Sequence, residues 1–238
     1  MKIEIWSDYA CPYCYIGKRR LEKALENFSD REDIYISFKS FELDSSASYK
    51  TTTNTIERIS EKYRISIEKA KQMIDSITEY AKSVGLDFNY DTVRYTNTFD
   101  AHRIAKYAET KGKGIEISEK LLHAYFTENK QMSDHKVLTD IAIEVGLDKL
   151  EVEDILKDKK FAEDVRNDEY EASRLGIQAV PFFFINEKYS ISGAKPLEVF
   201  EKTIEKALQE EKILECVEDD NLGDMVCNSD GCSIPNNK

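Results

Sequence analysis

Two cysteines separated by two residues, Cys11 and Cys14, follow directly after the strand-like run of residues 3–6. Pro12 comes next to Cys11, and a proline is tolerated in the first turn of a helix because its missing N–H would have had no partner there. Apolar residues then recur at helical spacing over residues 15–28. The pattern therefore predicts a strand-to-helix junction with Cys11 at the helix N-terminus, where free N–H groups and the macrodipole favour a thiolate.

A thiol pair at such a junction is the arrangement with which proteins build a reversible disulfide, so redox chemistry is the favoured interpretation. A zinc site is the main alternative. Zinc takes about four ligands, and the missing ones would have to come from Cys227 and Cys232 near the other end of the chain. Structural zinc knuckles are usually compact and rich in turn residues, whereas this pair opens a helix behind a strand. A pair without any function is the third interpretation.

The composition is that of a folded, acidic protein. Of 238 residues, 41% are hydrophobic and 11% aromatic, and the formal net charge is -12. No basic stripe is present, which argues against nucleic acid and anionic membrane surfaces as partners. No apolar run reaches the length of a bilayer span, and the N-terminus lacks the apolar core of a secretory signal. We therefore expect a cytoplasmic protein, and in a reducing compartment paired cysteines are more often catalytic, redox-sensing or metal-binding than structural.

The middle of the chain predicts a long helical block. Before it, residues 33–43 alternate apolar and polar side chains as a half-buried strand does, and the polar residues 44–54 are a predicted loop. From there to about Leu175 nearly all of the sequence has a helical pattern, with glycines just past several periodic runs. The predicted helices are residues 55–63, 66–84, 98–111, 117–129, 135–145, 147–156 and 159–175, and the predicted stops are Gly85, Gly112, Gly146 and Gly176.

Strand character returns in residues 177–185 and 188–192, separated by Asn186-Glu187, which suits a tight hairpin. A predicted helix over about residues 196–211 follows, and the tail from residue 213 shows no clear periodicity.

This order predicts an α/β fold, in which a βαβ unit and a ββα unit are separated by an all-helical block. Neither unit has enough strands alone, so the two should meet in one sheet domain with a helical insertion. The predicted domains are residues 1–43 with 177–211 for the sheet domain, 44–176 for the helical insertion and 212–238 for a cysteine-containing tail.

Four separated motifs resemble the DsbA-like branch of the thioredoxin superfamily, in which a helical domain is inserted into the thioredoxin fold. The resemblance covers residues 1 to about 211 and is closest to the cytosolic FrnE-type subgroup of dithiol–disulfide oxidoreductases or isomerases. It implies a thioredoxin fold with a large all-helical insertion. The motifs are SDYACPYC (7–14) followed by Gly17, NTFDAHR (97–103), VPFF (180–183) and SGA (192–194).

The resemblance assigns roles to individual residues. Cys11 is implied as the nucleophile and Cys14 as the buried resolving cysteine. Pro181 matches the loop proline that is cis in this superfamily, which would hold Val180 extended beside Cys11 so that its backbone pairs with a substrate strand. From the sequence alone, an ordinary trans proline at the start of an apolar strand is the alternative. Substrate contacts are implied for Pro12, Tyr13, Val180, Pro181 and His102.

His102 has two interpretations. In FrnE-like sequences a similar Ala-His-Arg lies near the active site, so His102 would polarise a thiol or bind substrate. A hydrogen-bonded structural histidine on a well-capped core helix is equally well supported. A metal site built from His102, His123 and His135 is not expected, because the three fall on separate predicted helices without ligand spacing.

The tail departs from the basic DsbA pattern through Cys227 and Cys232, a C-x4-C pair on a turn that contains Gly and Asp. Some FrnE-type proteins carry a similar extension, and the pair is close enough in sequence for an intramolecular disulfide. About 16 residues between the predicted last helix and Cys227 would span up to roughly 50 Å, enough to approach Cys11 and Cys14 in its own molecule or in a partner. An auxiliary redox pair is favoured, a structural clip or metal-binding thiols are the alternatives, and Cys216 is expected to be an ordinary semi-buried thiol.

The favoured function is a cytosolic thiol–disulfide oxidoreductase or isomerase that works through Cys11 and Cys14. No metal or organic cofactor is expected. The substrate would be a thiol- or disulfide-containing protein or small molecule, and glutathione or another dithiol protein would recycle the pair.

One alternative is a glutathione-dependent small-molecule isomerase or transferase of the same fold, although those enzymes typically carry serine in place of Cys11. The other is a metal-binding or redox-regulated interaction protein. Glutaredoxins also use CPYC, but their chains are much shorter. The sequence predicts no particular oligomeric state.

Overall fold

A four-stranded mixed sheet forms the centre of the fold. The computed structural model describes residues 1–28, 34–221, 226–228 and 231–233, with side chains described up to Glu211. The strands are β1 Lys2–Ser7, β2 Tyr35–Ser40, β3 Phe182–Ile185 and β4 Tyr189–Ser192, and their spatial order is β2-β1-β3-β4. β1 pairs in parallel with β2 and antiparallel with β3, and β3 pairs antiparallel with β4. Strands from the two ends of the chain therefore meet in one sheet, as predicted.

Helix α1, Pro12–Leu25, packs against both the sheet and the helical block. Its residues Leu21 and Leu25 share an apolar cluster with the strands, whereas Tyr15 and Ile16 belong to the apolar cluster of the helical block. A helix that is apolar on two sides must be covered by two neighbours. The helix that begins at the cysteine pair therefore joins the two cores.

The helical block begins and ends close to where the sequence predicts. The helix Thr55–Tyr63 starts behind a capping box between Asn54 and Glu57, and the Asp134 carboxylate accepts two backbone N–H bonds at the start of the helix His135–Glu144. The predicted glycine stops all have φ between 70° and 85°, which glycine adopts at low cost. The helices are α2 Thr55–Tyr63, α3 Ile67–Lys82, α4 Phe99–Thr110, α5 Gly114–Phe126, α6 His135–Glu144, α7 Lys149–Lys157, α8 Ala162–Arg174 and α9 Leu197–Asn221.

Strand β3 is shorter than predicted. It begins at Phe182 and not at Ile177. The N–H of Ile177 bonds to the carbonyl of Ala172 at the end of α8, at 2.8 Å, so this residue closes the helix. The Val180–Pro181 peptide is cis, and a proline has no N–H to donate to a sheet. The hairpin prediction is confirmed, since Asn186 and Glu187 both have positive φ.

The last helix is longer than predicted, and the prediction of an aperiodic tail from residue 213 is wrong. Helix α9 continues to Asn221, because no Gly or Pro interrupts the chain before Gly223. The two strands β5 Val226–Asn228 and β6 Gly231–Ser233 then form an antiparallel hairpin. Only residues 222–226 lie between α9 and Cys227, so the earlier estimate of the reach of the tail is too long.

The helical block and the sheet each have their own cluster of buried apolar side chains. The domain boundaries at residues 43 and 176 stay a prediction. In the described part of the chain, no helix is both long enough and apolar enough to span a bilayer.

The contact of α9 with the sheet gives a stability prediction. Phe200 is fully buried, and its ring meets that of Phe183 edge-on at 4.9 Å between centroids. We expect Phe200→Ala to lower the free energy of unfolding by about 3–5 kcal/mol, because it removes a buried aromatic side chain and leaves a cavity. Urea unfolding measures this.

The neighbouring Val199, which is 37% exposed, provides the control. Val199→Ala should change the free energy of unfolding by less than about 0.5 kcal/mol. An equal decrease in the free energy of unfolding for the two variants would show that the Phe200 side chain does not stabilise the packing of α9 on the sheet.

Candidate active site

The end of β1 and the start of α1 position the cysteine pair. Cys11 is the N-cap residue of α1, with φ -97° and ψ 112°, and Pro12 is the first helical residue. The Cys11 N–H donates to the Asp8 carbonyl at 3.1 Å, and the Cys14 N–H donates to the Cys11 carbonyl at 3.1 Å. Both sulfurs are free thiols, and the residues are 4% and 2% exposed. The predicted strand-to-helix junction is confirmed.

The loop before β3 faces Cys11. The peptide bond between Val180 and Pro181 is cis, as the resemblance implied. The Cys11 thiol donates to the Val180 carbonyl at 3.6 Å, and the Gly193 N–H donates to the Pro181 carbonyl at 2.8 Å. The loop is therefore held between β4 and the sulfur, and residues that are 169 positions apart in sequence are in contact.

The environment of Cys14 keeps its sulfur protonated. Burial raises the pKa of the Cys14 thiol well above its ordinary value, and the hydrogen bond and charge of Cys11 raise it further. Hydrogen bonds from the Ser7 side chain and the Asp8 backbone oppose this shift. Cys14 is therefore a proton donor to Cys11 in the dithiol form, and it must lose its proton before it can act as a nucleophile.

Tyr13 of α1 and Tyr90, in the segment between α3 and α4, lie near Cys11, and Tyr80 of α3 packs against Tyr13. Tyr13 is 43% exposed and meets Tyr80 edge-on at 6.4 Å between ring centroids. The Arg20 guanidinium lies 4.4 Å from the centre of the Tyr80 ring. Burial, and then the charge of Cys11, raises the pKa of Tyr90. Sequence reasoning identified Tyr13 but missed Tyr80 and Tyr90, because nothing in the helical periodicity marks a residue as facing a site on another element.

His102 lies next to the loop that leads to the cysteines. It is buried on α4, its ring packs against the Tyr9 ring at 4.7 Å between centroids, and its Nε2 lies 3.5 Å from Asp8 Oδ1. Substrate contact by His102 stays a prediction. His123 and His135 are about half exposed and lie beside Glu128 and Asp100, respectively. Within residues 1–28 and 34–211, no three His, Cys, Asp or Glu side chains are arranged to hold a metal ion.

Gly17 allows α1 to approach the loop closely. A Cβ atom on Gly17 would lie 3.0 Å from Phe183 Cζ and 3.1 Å from Pro181 Cγ. Both distances are shorter than ordinary van der Waals contact between carbon atoms. The glycine that follows the CPYC motif is therefore required by packing against the cis-proline loop, a reason that the sequence alone does not provide.

The second cysteine pair is described only by its backbone. Cys227 and Cys232 are paired positions of the β5–β6 hairpin. Their side chains, and that of Cys216 on α9, lie outside the described part of the structure, so the predicted auxiliary redox role stays a prediction.

Comparison with known proteins identifies the family. Residues 2–205 match the family described as DSBA-like thioredoxin domain. The chain belongs to this family. It is 35% identical to the probable DsbA oxidoreductase SCO1869 from Streptomyces coelicolor, whose crystal structure superposes with a TM-score of 0.85 and coverage of 99% of this chain and 100% of that one. It is 30% identical over 210 residues to the uncharacterised protein YwbO of Bacillus subtilis (strain 168), covering 85% of this chain and 94% of YwbO.

A more distant solved structure shares the fold. The cytosolic disulfide reductase DsbM from Pseudomonas aeruginosa, solved with GSH, is 14% identical to this DsbA-like chain with a TM-score of 0.61, covering 88% of this chain and 100% of that one. The predicted thioredoxin fold with a helical insertion is thus confirmed.

The close approach at Gly17 gives the next prediction. Alanine favours a helix over glycine by about 1 kcal/mol, but the added methyl group must displace Phe183 or Pro181. Because Phe183 is fully buried, we expect Gly17→Ala to lower the free energy of unfolding by about 1–2 kcal/mol and to slow any thiol–disulfide exchange at Cys11 by displacing the loop from it.

Gly114→Ala is the matched control, since a Cβ there lies 3.6 Å from its nearest neighbour, an ordinary contact. Stability and activity should both be kept. A Gly17→Ala protein as active and as stable as the control would contradict the packing argument.

Proposed function

We propose that this DsbA-like protein is a thiol–disulfide oxidoreductase or isomerase whose reactive groups are Cys11 and Cys14. The observation that carries the proposal is the contact between the Cys11 thiol at the start of α1 and the Val180 carbonyl of the cis-proline loop, at 3.6 Å. A sulfur at a helix N-terminus is stabilised as a thiolate. The Val180 backbone beside it offers a substrate strand a place to pair.

The reaction transfers two electrons from the Cys11–Cys14 dithiol to a substrate disulfide. The Cys11 thiolate attacks one sulfur of the substrate disulfide, forms a mixed disulfide and expels the other sulfur as a thiolate, which takes up a proton. Cys14 then loses its proton and attacks Cys11 Sγ, which releases the second substrate thiol and leaves the Cys11–Cys14 disulfide. The substrate is reduced and the protein oxidised. The reverse sequence oxidises a dithiol substrate.

The proposed subgroup, cellular location, recycling thiol and substrate contacts rest on the family resemblance and on the names of the relatives. A FrnE-type activity in the cytoplasm is supported by the four sequence motifs and by the name of DsbM, a cytosolic disulfide reductase. Glutathione as the recycling thiol is supported by the same structure, which was solved with GSH. Pro12, Tyr13, Val180 and Pro181 are the proposed substrate contacts.

Single cysteine variants test the reaction. We expect Cys11→Ser to abolish reduction of insulin disulfides, because the nucleophile is lost. Cys14→Ser should instead accumulate a mixed disulfide with substrate, because the second step is blocked. Mass spectrometry of the trapped adduct and a turbidity assay of insulin reduction measure the two effects.

Cys216→Ser is the matched control and should keep full activity. Full disulfide reductase activity in Cys11→Ser would overturn the mechanism. Glutathione conjugation by the wild type, without any disulfide reduction, would favour the small-molecule isomerase or transferase alternative.

We also propose that Cys227 and Cys232 are an auxiliary redox pair, and that they exchange electrons with the dithiol of another molecule. Helix α9 starts close to the cis-proline loop, since the N–H of Gly193, four residues before Leu197, donates to the Pro181 carbonyl at 2.8 Å. Near its middle, Glu211 lies 3.2 Å from the amino group of Met1. Helix α9 therefore runs from the dithiol end of the sheet towards the start of β1.

Chain lengths support exchange with another molecule over exchange within one chain. The strand β1 separates Met1 from the dithiol by about 20 Å, and the ten residues of α9 beyond Glu211 add about 15 Å. Residues 222–227 reach at most about 20 Å when extended. With α9 intact, Cys227 therefore falls short of Cys11 in the same chain, so exchange between two molecules is favoured.

The dependence on concentration tests this proposal. We start from protein with an oxidised tail and a reduced Cys11–Cys14 pair. The rate at which electrons redistribute between the two pairs should rise in proportion to protein concentration. Alkylation of the free thiols and mass spectrometry measure this rate. A mixture of Cys11→Ser/Cys14→Ser chains and Cys227→Ser/Cys232→Ser chains should exchange as well. A rate that does not change with concentration would place the exchange within one chain, and no exchange in either experiment would remove the auxiliary role.

A further inference from the structure

One arginine of α1 connects three parts of the structure next to the cis-proline loop. The Arg20 guanidinium donates through Nη1 to the carbonyls of Ala194 and Lys195, at 2.8 Å and 2.9 Å. It also donates to the hydroxyl of Tyr80 on α3 and lies 4.4 Å from the centre of that ring. Helix α1, helix α3 and residues 193–196, which we call the β4–α9 linker, therefore meet at a single side chain.

The β4–α9 linker depends on side chains for its hydrogen bonds. Helix α9 begins at Leu197, and its first turn uses the carbonyl of Pro196, which accepts from the Val199 N–H at 3.0 Å. The Ala194 carbonyl comes before this turn, and it accepts from the Tyr80 hydroxyl at 3.3 Å in addition to the bond from Arg20. Since main-chain carbonyls away from water need a donor, Arg20 and Tyr80 together fix the linker.

The β4–α9 linker is in turn bonded to the cis-proline loop. The Gly193 N–H donates to the Pro181 carbonyl at 2.8 Å, and the Lys195 N–H donates to the Gly193 carbonyl at 2.9 Å. Gly193 has a φ of 83°, a conformation that glycine adopts at low cost. A continuous series of hydrogen bonds therefore runs from Arg20 through the linker to Pro181.

The same face of α1 carries Tyr13, Gly17 and Arg20, which are four and three residues apart in sequence. Gly17 is in close contact with Pro181, and Tyr13 meets Tyr80 edge-on at 6.4 Å between ring centroids. Arg20 is therefore connected to two of the proposed substrate contacts, to Tyr13 through Tyr80 and to Pro181 through the linker.

The charge of Arg20 is too far from the dithiol to act on it directly. Arg20 follows Cys11 by nine residues, which is about 14 Å along a helix. This distance exceeds the screening length of about 8 Å at physiological ionic strength, and the Arg20 side chain is partly exposed. Any effect of Arg20 on the reaction must therefore pass through the position of the loop.

We propose that Arg20 is a positioning residue that holds the cis-proline loop ready for a substrate strand, and that the protein consequently favours disulfides carried by an extended peptide over small disulfides. The inference rests on the proposed function, in which the Val180 backbone pairs with the substrate while Cys11 attacks it. Without Arg20, two linker carbonyls lose their charged donor and the loop is free to move away from Cys11. The start of α1, which carries the thiol, is not altered.

Two disulfides that share one small half test the proposal. One is a short linear peptide whose single cysteine is joined to 2-mercaptoethanol, and the other is bis(2-hydroxyethyl) disulfide. Reduced protein converts each disulfide to two thiols and ends with the Cys11–Cys14 disulfide, so electrons and protons balance. Acid quenching and mass spectrometry give the rate constants, and the wild type should react faster with the peptide.

Arg20→Met keeps an apolar stem against the Tyr80 ring but removes every donor. We expect its rate constant with the peptide disulfide to fall about tenfold and that with bis(2-hydroxyethyl) disulfide to stay within about twofold of the wild type, because one positioning hydrogen-bond set is lost. Arg20→Lys, which keeps a charged donor, should restore part of the peptide rate. Tyr80→Phe should cause a smaller loss with the peptide, since only one donor to the linker is removed.

Two further measurements separate positioning from a general loss of structure. The Gly193 N–H should exchange with solvent faster in Arg20→Met, as followed by NMR, because its bond to Pro181 opens more often. Alkylation of Cys11 by iodoacetamide, which needs no substrate strand, should keep its rate. The matched control is Lys23→Met, because this lysine lies one turn further along α1 with a side chain 68% exposed, and it should behave as the wild type throughout.

Two results would overturn the proposal. One is an equal fall of the rate constants for the two disulfides in Arg20→Met, and the other is an unchanged rate constant for the peptide. If Arg20→Met does not fold, the same two results in Arg20→Lys and Tyr80→Phe decide. A wild type that reduces neither disulfide would refute the proposed function itself, whereas a wild type that reduces both, without any dependence on Arg20, would refute this inference alone.

Discussion

The antiparallel pairing of β1 with β3 is the constraint on which the rest of the structure depends. It joins residues 3–6 to residues 182–185, and its register sets Trp6 opposite Phe182. Pro181 lies one residue before the paired segment of β3, and the cysteine loop follows β1 at the same end of the two strands. The pairing therefore brings the two halves of the site together. A shift by one residue would turn every side chain of β3 to the other face and would move Val180 away from Cys11.

Helix α1 connects the sheet, and the strand pairing within it, to the helical block. Tyr15 donates to Glu119 of α5 at 2.6 Å, and Lys18, which is almost completely buried, pairs with the same carboxylate at 2.5 Å. These bonds lower the pKa of Glu119 despite its burial. Since α1 starts at Cys11, any movement of α5 against the sheet would act on the dithiol. The helical block is thus a part of the site, and not only a neighbour of it.

Local signals explain what the sequence can predict. The bounds of α2 match the prediction because its capping box lies within four consecutive residues, and the CPYC motif and the following helix are equally local. Pro181 was recognised through the family resemblance, since nothing near it in sequence indicates a cis bond. The bond from the Leu43 N–H to the Asp8 carboxylate is not predicted, because its partners are 35 positions apart and only the tertiary fold brings them together. The continuation of α9 to Asn221 is not predicted, because the residues from 213 onward show no clear periodicity, although glutamate is a good helix former.

Asp8 shows how the fold and the chemistry depend on one another. Its carboxylate accepts from the Ala10 N–H at 3.2 Å and from the Leu43 N–H at 2.8 Å, and its backbone carbonyl accepts from the Cys11 N–H at 3.1 Å. One residue therefore fixes the loop that carries the dithiol and ties it to the segment that follows β2. His102 of α4 lies 3.5 Å from the same carboxylate, so the helical block contacts this loop directly.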